Sequence, residues 1–513
     1  MGGRGHTRTH NGAVPQTGLE PAQVLHQPSG SGRTADAAGG SRLQPEGPRR
    51  PVRTDPAWRV VAAVWVGCAT VLQLYRTPGV PAWDTLWQED GGIFYTDALR
   101  HHLLDAITRS YNGYLHLVPR LLAALAVHLP LRDVAVIFAV SSALVVALVS
   151  VYVGWAARVV VPALWARALL ALLVVLVPVG AYETTDNINN LHWYLLFALA
   201  WVPFSRPTGR PGQVLNLVVI VLAVLSDSEA LLLAPLFLPG FVRAVRTRRP
   251  AHAGPAVAVG VCLLVQFVVG AQGQQPGRYA PSRLSDMPGI YAFRVAGSLL
   301  LGDRYLPTLY DRHGLAFAYG CLVVLVLLLA GAAVLAPRAR LLLLTTAAGS
   351  VLFLAVPLML RGTANFLTRP QATLNGSRYA LLPVLFLAAG LLGAAARLAP
   401  TLLDRAGQPR VVPAVVGLLT VTVVAYNYAD VNVRTAGPSW HAELSHAVRT
   451  CASTHDLPRE LDTNSLPVNS APGNPWGTPA GPGDVIVPVA PSLPKIIPFS
   501  VLIDCRRLRG DLP

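Results

Sequence analysis

Charged side chains are scarce in this sequence. Only 13% of the residues are Asp, Glu, Lys or Arg, and 53% are hydrophobic, whereas a soluble domain usually carries about 25% charged residues. The polar shell that a water-soluble body of this length needs is therefore missing. Lysine is almost absent as well, because Lys495 is the only one in 513 residues. The basic charge is carried by arginine.

Several catalytic signatures are also missing. The sequence has no GxxxxGK[ST] phosphate loop, no GxGxxG after a strand, no HExxH motif and no GxSxG in a suitable context. A nucleotide-driven pump and a hydrolase of familiar type are therefore unsupported. Cysteines are few and lack metal-type spacing. Cys451 and Cys505 lie in the C-terminal region and can form a disulfide if that region is extracytoplasmic.

The hydrophobic residues are concentrated in blocks of about 17–24 residues, the length at which a helix crosses a hydrocarbon core. The predicted fold is an all-α integral membrane protein with about eleven transmembrane helices, within a range of about 10–13, and with outer juxtamembrane helices. The predicted spans are 57–75, 134–156, 161–181, 191–204, 213–226, 229–242, 253–271, 314–336, 340–360, 379–396 and 411–430. The three short ones, 191–204, 213–226 and 229–242, are either tilted pieces around a cavity or spans with displaced boundaries.

The net charge of +15 is explained by arginines in short loops rather than by nucleic-acid binding, because no basic face is interleaved with stacking aromatics. The positive-inside rule puts the N-terminus and the loop 243–250 in the cytoplasm and the acidic loops on the outer face. A further crossing at 115–130 would reverse the later loops, so this segment is interpreted as a helix dipping into the outer interface. A twelve-span arrangement is the alternative.

Three regions follow from this pattern. Residues 1–55 are predicted to be a disordered cytoplasmic tail. Residues 56–430 form the polytopic domain, whose outer loops are 76–133 and 272–313, the latter with an interfacial helix around 288–301. Residues 431–513 form a small, Pro-rich extracytoplasmic region. The expected location is the cell (plasma) membrane.

Two adjacent carboxylates follow the first span. Glu89 and Asp90 stand in the segment WQEDGGIFY, whose glycines let the backbone approach a ligand closely. Neighbouring carboxylates beside a membrane need a metal, a proton or a cationic partner, and their repulsion can leave one of them a usable base. The alternative is a solvated loop with a chance acidic pair.

Two polar stretches and a set of arginines are the other candidates. The segment 111–120 holds Tyr111, Tyr114, His116 and Arg120, which suit acid, base or ligand chemistry or interfacial anchoring. The segment 182–194 suits sugar hydroxyls and ring faces, or is a polar turn with an aromatic belt; its candidate residues are Glu183, Asp186, Asn187, Asn190, His192 and Trp193. The charges of the turn 226–229, Asp227 and Glu229, line a cavity or meet a cation, or belong to a plain outer turn at the bilayer surface. Arginines on the predicted outer side either suit a lipid phosphate or pair with the outer acids. They are Arg278, Arg283, Arg294, Arg304, Arg361, Arg369 and Arg378. Tyr279 follows Arg278, and Tyr379 follows Arg378.

This layout resembles the GT-C superfamily of membrane glycosyltransferases, which includes protein O-mannosyltransferases and lipid A aminoarabinose transferases. The resemblance rests on a first span, an outer loop with the acidic pair Glu89-Asp90, and the aromatic, His, Pro and basic segment 114–120. Apolar helices with polar tips on one face follow, so the likeness covers about residues 57–430. The family's His-Pro-Pro segment is matched only loosely.

The resemblance implies a GT-C-like fold and transfer of a sugar from a polyprenyl-phosphate donor to a glycan, lipid or protein acceptor on the outer face. It implies Asp90 or Glu89 as the base or as ligands of a divalent metal, the one cofactor considered; His116 is a further catalytic candidate. Arg278, Arg283 or Arg378 would neutralise the lipid phosphate. The implied sugar or acceptor ligands are Asp186, Asn187, Asn190, His192 and Trp193.

Two other functions stay open. A transporter or flippase for a lipid-linked sugar or polar solute should carry inverted repeats and midplane charges, but the sequence has no fixed repeat and its polar residues gather on one face. A cell-surface polysaccharide polymerase or ligase should have one dominant outer loop late in the chain. The large loops here are 76–133 and 272–313.

Overall fold

A computed structural model describes the chain over residues 56–207, 209–249, 252–272, 281–363, 376–406, 411–429, 433–453, 484–490 and 500–511. The predicted N-terminal tail, 1–55, lies outside the described residues, and its predicted disorder stays a prediction.

Helices dominate the described residues. Seven of them are long and apolar enough to cross a membrane by length and composition, so the prediction of an all-α integral membrane protein is confirmed. The other helices are shorter, and the number of crossings stays a prediction. The helices at the predicted spans are Pro56–Leu74, Val134–Ala156, Leu164–Leu176, Leu191–Trp201, Arg210–Val224, Ser228–Phe237 with Leu238–Thr247, Gly254–Gln272, Ala316–Leu335, Arg340–Arg361, Arg378–Ala406 and Val411–Tyr426.

Prolines set the limits of two of these helices. The span predicted at 161–181 is helical only over Leu164–Leu176, because Val177 precedes Pro178 and takes extended backbone. The span predicted at 229–242 starts as the 3-10 helix Ser228–Phe237, which contains Pro235, and becomes α-helical only from Leu238. A proline removes a backbone donor from the helix interior, which accounts for the irregular first half.

The segment predicted to dip into the interface contains the helix Leu117–Ala126, which has 10 residues. At 1.5 Å per residue it is about 15 Å long, half of the hydrocarbon thickness, so it is too short to cross alone. Residues 287–301 are helical in three consecutive pieces, which fits the helix predicted at 288–301. Its Phe293 and Arg294 are buried rather than interfacial.

The helix that begins at Arg378 runs through the middle of the described bundle. It packs along Arg340–Arg361 and also contacts Leu164–Leu176 and Leu191–Trp201. Its membrane-length part, Arg378–Ala399, is 89% buried. The first residues of this helix are therefore held in place by the packing of the rest of it.

The C-terminal region adds a small antiparallel sheet that the sequence reading missed. Strand Asp484–Pro488 pairs with strand Ser500–Asp504, and a disulfide joins Cys451 to Cys505. The remaining helices and turns are Ala82–Asp84, Asp90–Tyr95, Thr96–Arg100, Leu103–Thr108, Leu131–Asp133, Ala157–Val159, Ala181–Thr184, Val202–Phe204, Leu284–Asp286, Leu306–His313, Pro337–Ala339, Val433–Ala436, Trp440–Ser453 and Cys505–Asp511.

Candidate functional site

The acidic pair opens a buried π-helical turn, Asp90–Tyr95, beneath the C-terminal sheet. A Cβ at Gly91 would lie 2.8 Å from side-chain atoms of both Val489 and Val501, so only glycine fits there without displacing the sheet. The hydroxyl of Thr96 donates to the Gly91 carbonyl at 2.9 Å. The C-terminal region thus fixes the turn that carries the two carboxylates.

The two carboxylates of the pair have different surroundings. Asp90 accepts hydrogen bonds from the backbone N–H groups of Ile188 at 2.8 Å and Asn189 at 2.9 Å. Asp90 does not line the cleft described below. We therefore assign Asp90 an anchoring role, which ties the 181–190 loop to the turn, in place of the catalytic role predicted from the sequence.

Glu89, by contrast, lines the cleft. Its Oε2 atom is buried and has no hydrogen-bond partner among the described residues. Burial raises the pKa of the Glu89 carboxyl, and the nearby Arg378 guanidinium opposes this shift. A carboxylate with a raised pKa is a stronger base than an ordinary surface glutamate.

The polar loop 181–190 is largely satisfied by its own backbone. The side-chain amides of Asn187 and Asn190 both donate to the carbonyl of Glu183, the second at 2.8 Å. Asp186 takes a positive φ of 51° at the turn. Asn189 and Asn190 line the cleft, whereas Asp186 and Asn187 do not. Much of this loop's polar composition therefore sets its shape rather than its ligand contacts.

Glu183 connects this loop to the start of the central helix. Its carboxylate accepts hydrogen bonds from the Gly376 N–H at 3.0 Å, the Ser377 hydroxyl at 3.2 Å and the Arg378 N–H at 2.9 Å. Carboxylates are favoured at helix N-termini, where several backbone N–H groups lack a partner. Glu183 is only 2% exposed and is predominantly a structural residue.

A buried histidine–aspartate pair lies beside the loop. The Nδ1 atom of His192 and the Oδ2 atom of Asp227 are 2.5 Å apart. The other oxygen of Asp227 accepts the Glu229 N–H at 2.7 Å. His192 and Glu229 line the cleft, and Oε2 of Glu229 has no hydrogen-bond partner among the described residues.

His116 lies in an aromatic cage. The ring of Tyr114 stacks on it at 4.1 Å between centroids, and Phe94 and Tyr111 contact it at 5.3 Å and 5.4 Å. Burial, with the positive charge of Arg120 nearby, lowers the pKa of His116 well below its ordinary value. His116 is therefore a neutral cleft residue and not an exposed interfacial anchor.

Two arginines face these acids from the central helices. Arg378 is 3.5 Å from the Glu183 carboxylate and lies 5.3 Å from the ring centroid of Tyr379. The ring of Tyr379 meets Trp193 edge to face at 5.6 Å. Arg361, at the end of the neighbouring helix, interacts electrostatically with Tyr379. Guanidinium groups thus lie directly beside aromatic rings.

These side chains meet in one cleft, whose empty space is about 350 Å³ when the part that opens to solvent is included. The cleft joins residues from the loop that follows the first span, from the loop and helix around 190, from the turn before residue 230, and from two central helices. The lining residues are Glu89, Tyr111, Asn112, Tyr114, His116, Asn189, Asn190, His192, Trp193, Glu229, Arg361, Arg378 and Tyr379.

Several predicted ligands lie elsewhere. Arg120 is buried in an ion pair with Asp97 at 3.1 Å, outside the cleft. Arg283 is exposed and does not line the cleft. Arg278 and Tyr279 lie outside the described residues. Arg120 and Arg283 are therefore not positioned to bind a ligand in this cleft.

Three cleft residues are absent from the ligand set that the sequence predicts. Arg361 belongs to the arginines on the predicted outer side, and it is the charge that ends a long apolar helix. Asn112 and Asn189 belong to the polar segments 111–120 and 182–194. The position at the end of an apolar run is the sequence signal that favours Arg361.

The acidic pair does not suit a shared divalent metal. Both oxygens of Asp90 already accept amide hydrogen bonds, which leaves Glu89 as the available carboxylate of the pair. Among the residues that the structure describes, no group of three His, Cys, Asp or Glu is arranged to hold a metal ion. We therefore derive no catalytic step through a metal.

No family model matches the chain, and no curated protein sequence matches it. Among solved structures, the chain is similar to the crystal structure of the Archaeoglobus fulgidus oligosaccharyltransferase in complex with zinc and sulfate. The identity is 15% and the TM-score 0.39, over 77% of this chain and 56% of that one. The chain thus spans little more than half of that protein's length.

Proposed function

We propose that this chain is a membrane glycosyltransferase of the GT-C kind, which transfers a sugar from a polyprenyl-phosphate donor to an acceptor hydroxyl. The observation that carries the proposal is that the Glu89 carboxylate and the guanidinium groups of Arg361 and Arg378 line the same cleft. The reaction needs both a base and a cation for the leaving phosphate, and this cleft holds candidates for each.

The two arginines are proposed to bind the phosphate of the donor. When the bond between the sugar carbon and the phosphate oxygen breaks, the leaving phosphate gains negative charge. Guanidinium groups form forked, charge-assisted hydrogen bonds with phosphate oxygens. Arg378 is held by Glu183, so it offers a pre-oriented cation at the cleft.

Glu89 is proposed to be the base. The acceptor hydroxyl attacks the sugar carbon, and its proton passes to the Glu89 carboxylate as the new glycosidic bond forms. Burial raises the pKa of Glu89, which brings the carboxyl nearer to the working pH that favours a general base. Trp193 and Tyr379 provide flat apolar surfaces for a sugar ring next to the arginines.

The cleft is proposed to open on the outer face of the plasma membrane. The C-terminal region contains the disulfide between Cys451 and Cys505, and disulfides persist mainly in oxidising compartments. This region packs on the segment that carries Glu89, since the Ala490 N–H donates to the Leu86 carbonyl at 2.8 Å. The disulfide and the candidate base thus lie on the same side, where a glycan, lipid or protein acceptor would be found.

The test is cleavage of a defined donor. Purified full-length protein in liposomes is given farnesyl-phosphate mannose, glucose or arabinose, labelled in the sugar, with envelope extract as the source of acceptors. We expect release of farnesyl phosphate and transfer of label with one of the donors, and a loss of about 10²–10⁴ in rate for Glu89→Gln. Absence of cleavage with every donor would overturn the proposal. Movement of intact labelled lipid across the bilayer would support the transporter alternative instead.

A further inference from the structure

The pair formed by His192 and Asp227 has no part in the chemistry proposed above. Its Nδ1 to Oδ2 distance is 2.5 Å, and Asp227 also accepts the backbone N–H of Glu229. A carboxylate can only accept, so the hydrogen of this bond belongs to Nδ1 of His192. In the neutral imidazole, Nε2 is then the nitrogen with the lone pair.

The Nε2 atom is available to a ligand. His192 lines the cleft, and among the described residues Nε2 has no hydrogen-bond partner. The ring orientation is held by Asp227 and by packing against Trp193, whose ring centroid is 4.6 Å away, and His116, at 6.3 Å. This nitrogen can therefore accept a hydrogen bond from a ligand in the cleft.

We propose that His192 is a specificity-determining residue whose Nε2 accepts a hydrogen bond from a hydroxyl of the donor sugar, and that Asp227 is a positioning residue that fixes the ring and its tautomer. This inference rests on the proposed glycosyl transfer and assigns the ligand class at this end of the cleft. The ligand is a sugar with a free hydroxyl opposite His192.

The neighbours of the pair favour the donor sugar over the acceptor. The sugar is bonded directly to the phosphate, so it must lie next to the arginines that bind that phosphate. Arg378 lies over Tyr379, Tyr379 contacts Trp193, and Trp193 contacts His192. Trp193 and Tyr379 both line the cleft between the guanidinium group and the imidazole, so a sugar ring bound there can pack against an aromatic side chain.

The neighbouring carboxylates favour a ligand that carries hydrogen-bond donors. Glu89 and Glu229 both line the cleft, and each has one oxygen without a hydrogen-bond partner among the described residues. Sugar hydroxyls can donate hydrogen bonds to these oxygens as well as to Nε2 of His192.

The experiment compares two lipids of equal charge. Farnesyl-phosphate mannose and methyl farnesyl phosphate each carry one negative charge, and only the first has a sugar. We measure their dissociation constants on the full-length protein in nanodiscs, using glucose or arabinose in place of mannose if the wild type cleaves that donor faster. We expect the wild type to bind the sugar lipid about 10-fold more tightly or better.

Substitutions of His192 or Asp227 should abolish this difference in dissociation constant and leave the binding of methyl farnesyl phosphate unchanged. We expect His192→Leu and Asp227→Asn to lose the sugar preference. Asp227→Glu keeps the carboxylate and His192→Asn keeps a hydrogen-bond acceptor, so these two variants should retain part of the preference. In transfer assays KM should rise about 10-fold for His192→Leu, with a smaller fall in kcat. Equal weakening of both lipids, or no change in the preference, would show that the pair is merely structural.

A second measurement needs no variant. Among donors that each lack one sugar hydroxyl, one should bind the wild type about 10-fold more weakly than the parent, because it leaves Nε2 of His192 without its donor. Undiminished binding of every deoxy donor would overturn the assignment. Failure of the proposed function is separate, since it would appear as absence of cleavage with every donor, whereas the lipid comparison reports on sugar binding beside His192.

Discussion

The carboxylate of Glu183 accepts a hydrogen bond from the backbone N–H of Arg378 at 2.9 Å, across 195 residues of sequence. The same carboxylate lies 3.5 Å from the Arg378 guanidinium. One buried acid therefore fixes both the beginning of the central helix and the direction of a cationic side chain at the cleft. This contact explains why an acidic residue is needed at position 183 of the loop.

Glu183→Gln should destabilise the protein. The variant replaces an acceptor-only group by an amide whose NH2 faces N–H donors, and it leaves Arg378 without its buried partner. Breaking one side of a buried ion pair costs about 3–5 kcal/mol, and we expect a loss of this order in thermal unfolding in detergent. The matched control is Asp105→Asn, since this carboxylate is 57% exposed and should contribute less than about 1 kcal/mol. Equal stability of the two variants would contradict the anchoring role.

Glu89→Gln should raise the melting temperature of the protein and lower its transfer rate. Burial raises the pKa of Glu89 in the folded state, so the folded protein holds this proton more tightly than the unfolded chain. The stability that Glu89 contributes therefore declines as pH rises from the unfolded pKa through the folded one. At about pH 8 the variant should melt at a higher temperature than the wild type, while its transfer rate is lower. A lower melting temperature would contradict the unfavourable burial of this carboxylate.

The pH profile of the wild type follows from the same shift. A base must be deprotonated, so the transfer rate should fall as pH decreases through the raised pKa of Glu89. The acid limb should then lie above the ordinary glutamate pKa of about 4.3. It is measured as kcat/KM against pH for donor cleavage, and the limb should be absent in any residual activity of Glu89→Gln. A limb at the ordinary value would argue against a buried base.

Some of this site was predictable from sequence because polar residues inside an apolar chain are conspicuous. Glu89, His116, His192 and Trp193 stood out for that reason, and the spans followed from the length of the apolar runs. The division of roles between Glu89 and Asp90 could not be predicted. It depends on which of two adjacent carboxylates meets the N–H groups of a loop about 98 residues away.

Two further differences between the sequence-based expectations and the structure have physical causes. Arg283 and Arg361 are both arginines on the predicted outer side, and only the packing of the helix that ends at Arg361 brings one of them into the cleft. The strands Asp484–Pro488 and Ser500–Asp504 have 5 residues each and lie in a Pro-rich region. Such short apolar segments carry too little periodicity to be recognised from sequence.

Asp90→Asn should reduce stability more than Glu89→Gln does. The Asp90 carboxylate accepts two amide hydrogen bonds, from Ile188 and Asn189, and an asparagine offers only one accepting oxygen. Hydrogen bonds to a charged group contribute about 1.5–3 kcal/mol, and we expect a loss of this size in the free energy of unfolding. A fall in transfer rate with unchanged stability would instead return Asp90 to the catalytic role that the sequence suggested.

Cys451→Ser should loosen the packing of the C-terminal region on the turn that follows Glu89. The disulfide closes a separation of 54 residues, and removing a native disulfide typically costs about 2–5 kcal/mol. We expect a lower melting temperature and a lower transfer rate, because Val489 and Val501 pack on Gly91 within that turn. Treatment with dithiothreitol should reproduce the effect in the wild type. The control is Cys68→Ser, which removes an exposed free thiol.

The disulfide would be unimportant for the site if Cys451→Ser transferred sugar at the wild-type rate and melted at the same temperature. A thiol-reactive probe on intact cells provides the topological part of the test. After reduction, a probe that does not cross the membrane should label Cys451 and Cys505 if the C-terminal region is on the outer face. Labelling only after the cells are permeabilised would put that region, and the cleft with it, in the cytoplasm.

Arg361→Ala should weaken binding of the lipid phosphate, and Arg283→Ala should not. Arg361 lines the cleft and Arg283 does not, although both are arginines that the outer-side pattern singled out. Loss of a charge-assisted contact of about 1.5–3 kcal/mol corresponds to a roughly 10- to 150-fold increase in the dissociation constant of farnesyl phosphate. Arg361→Lys should recover only part of the affinity, because an ammonium group lacks the planar fork. Farnesol, which has no phosphate, should bind the three variants equally. The opposite result, weaker binding of farnesyl phosphate by Arg283→Ala and unchanged binding by Arg361→Ala, would show that the phosphate binds outside this cleft.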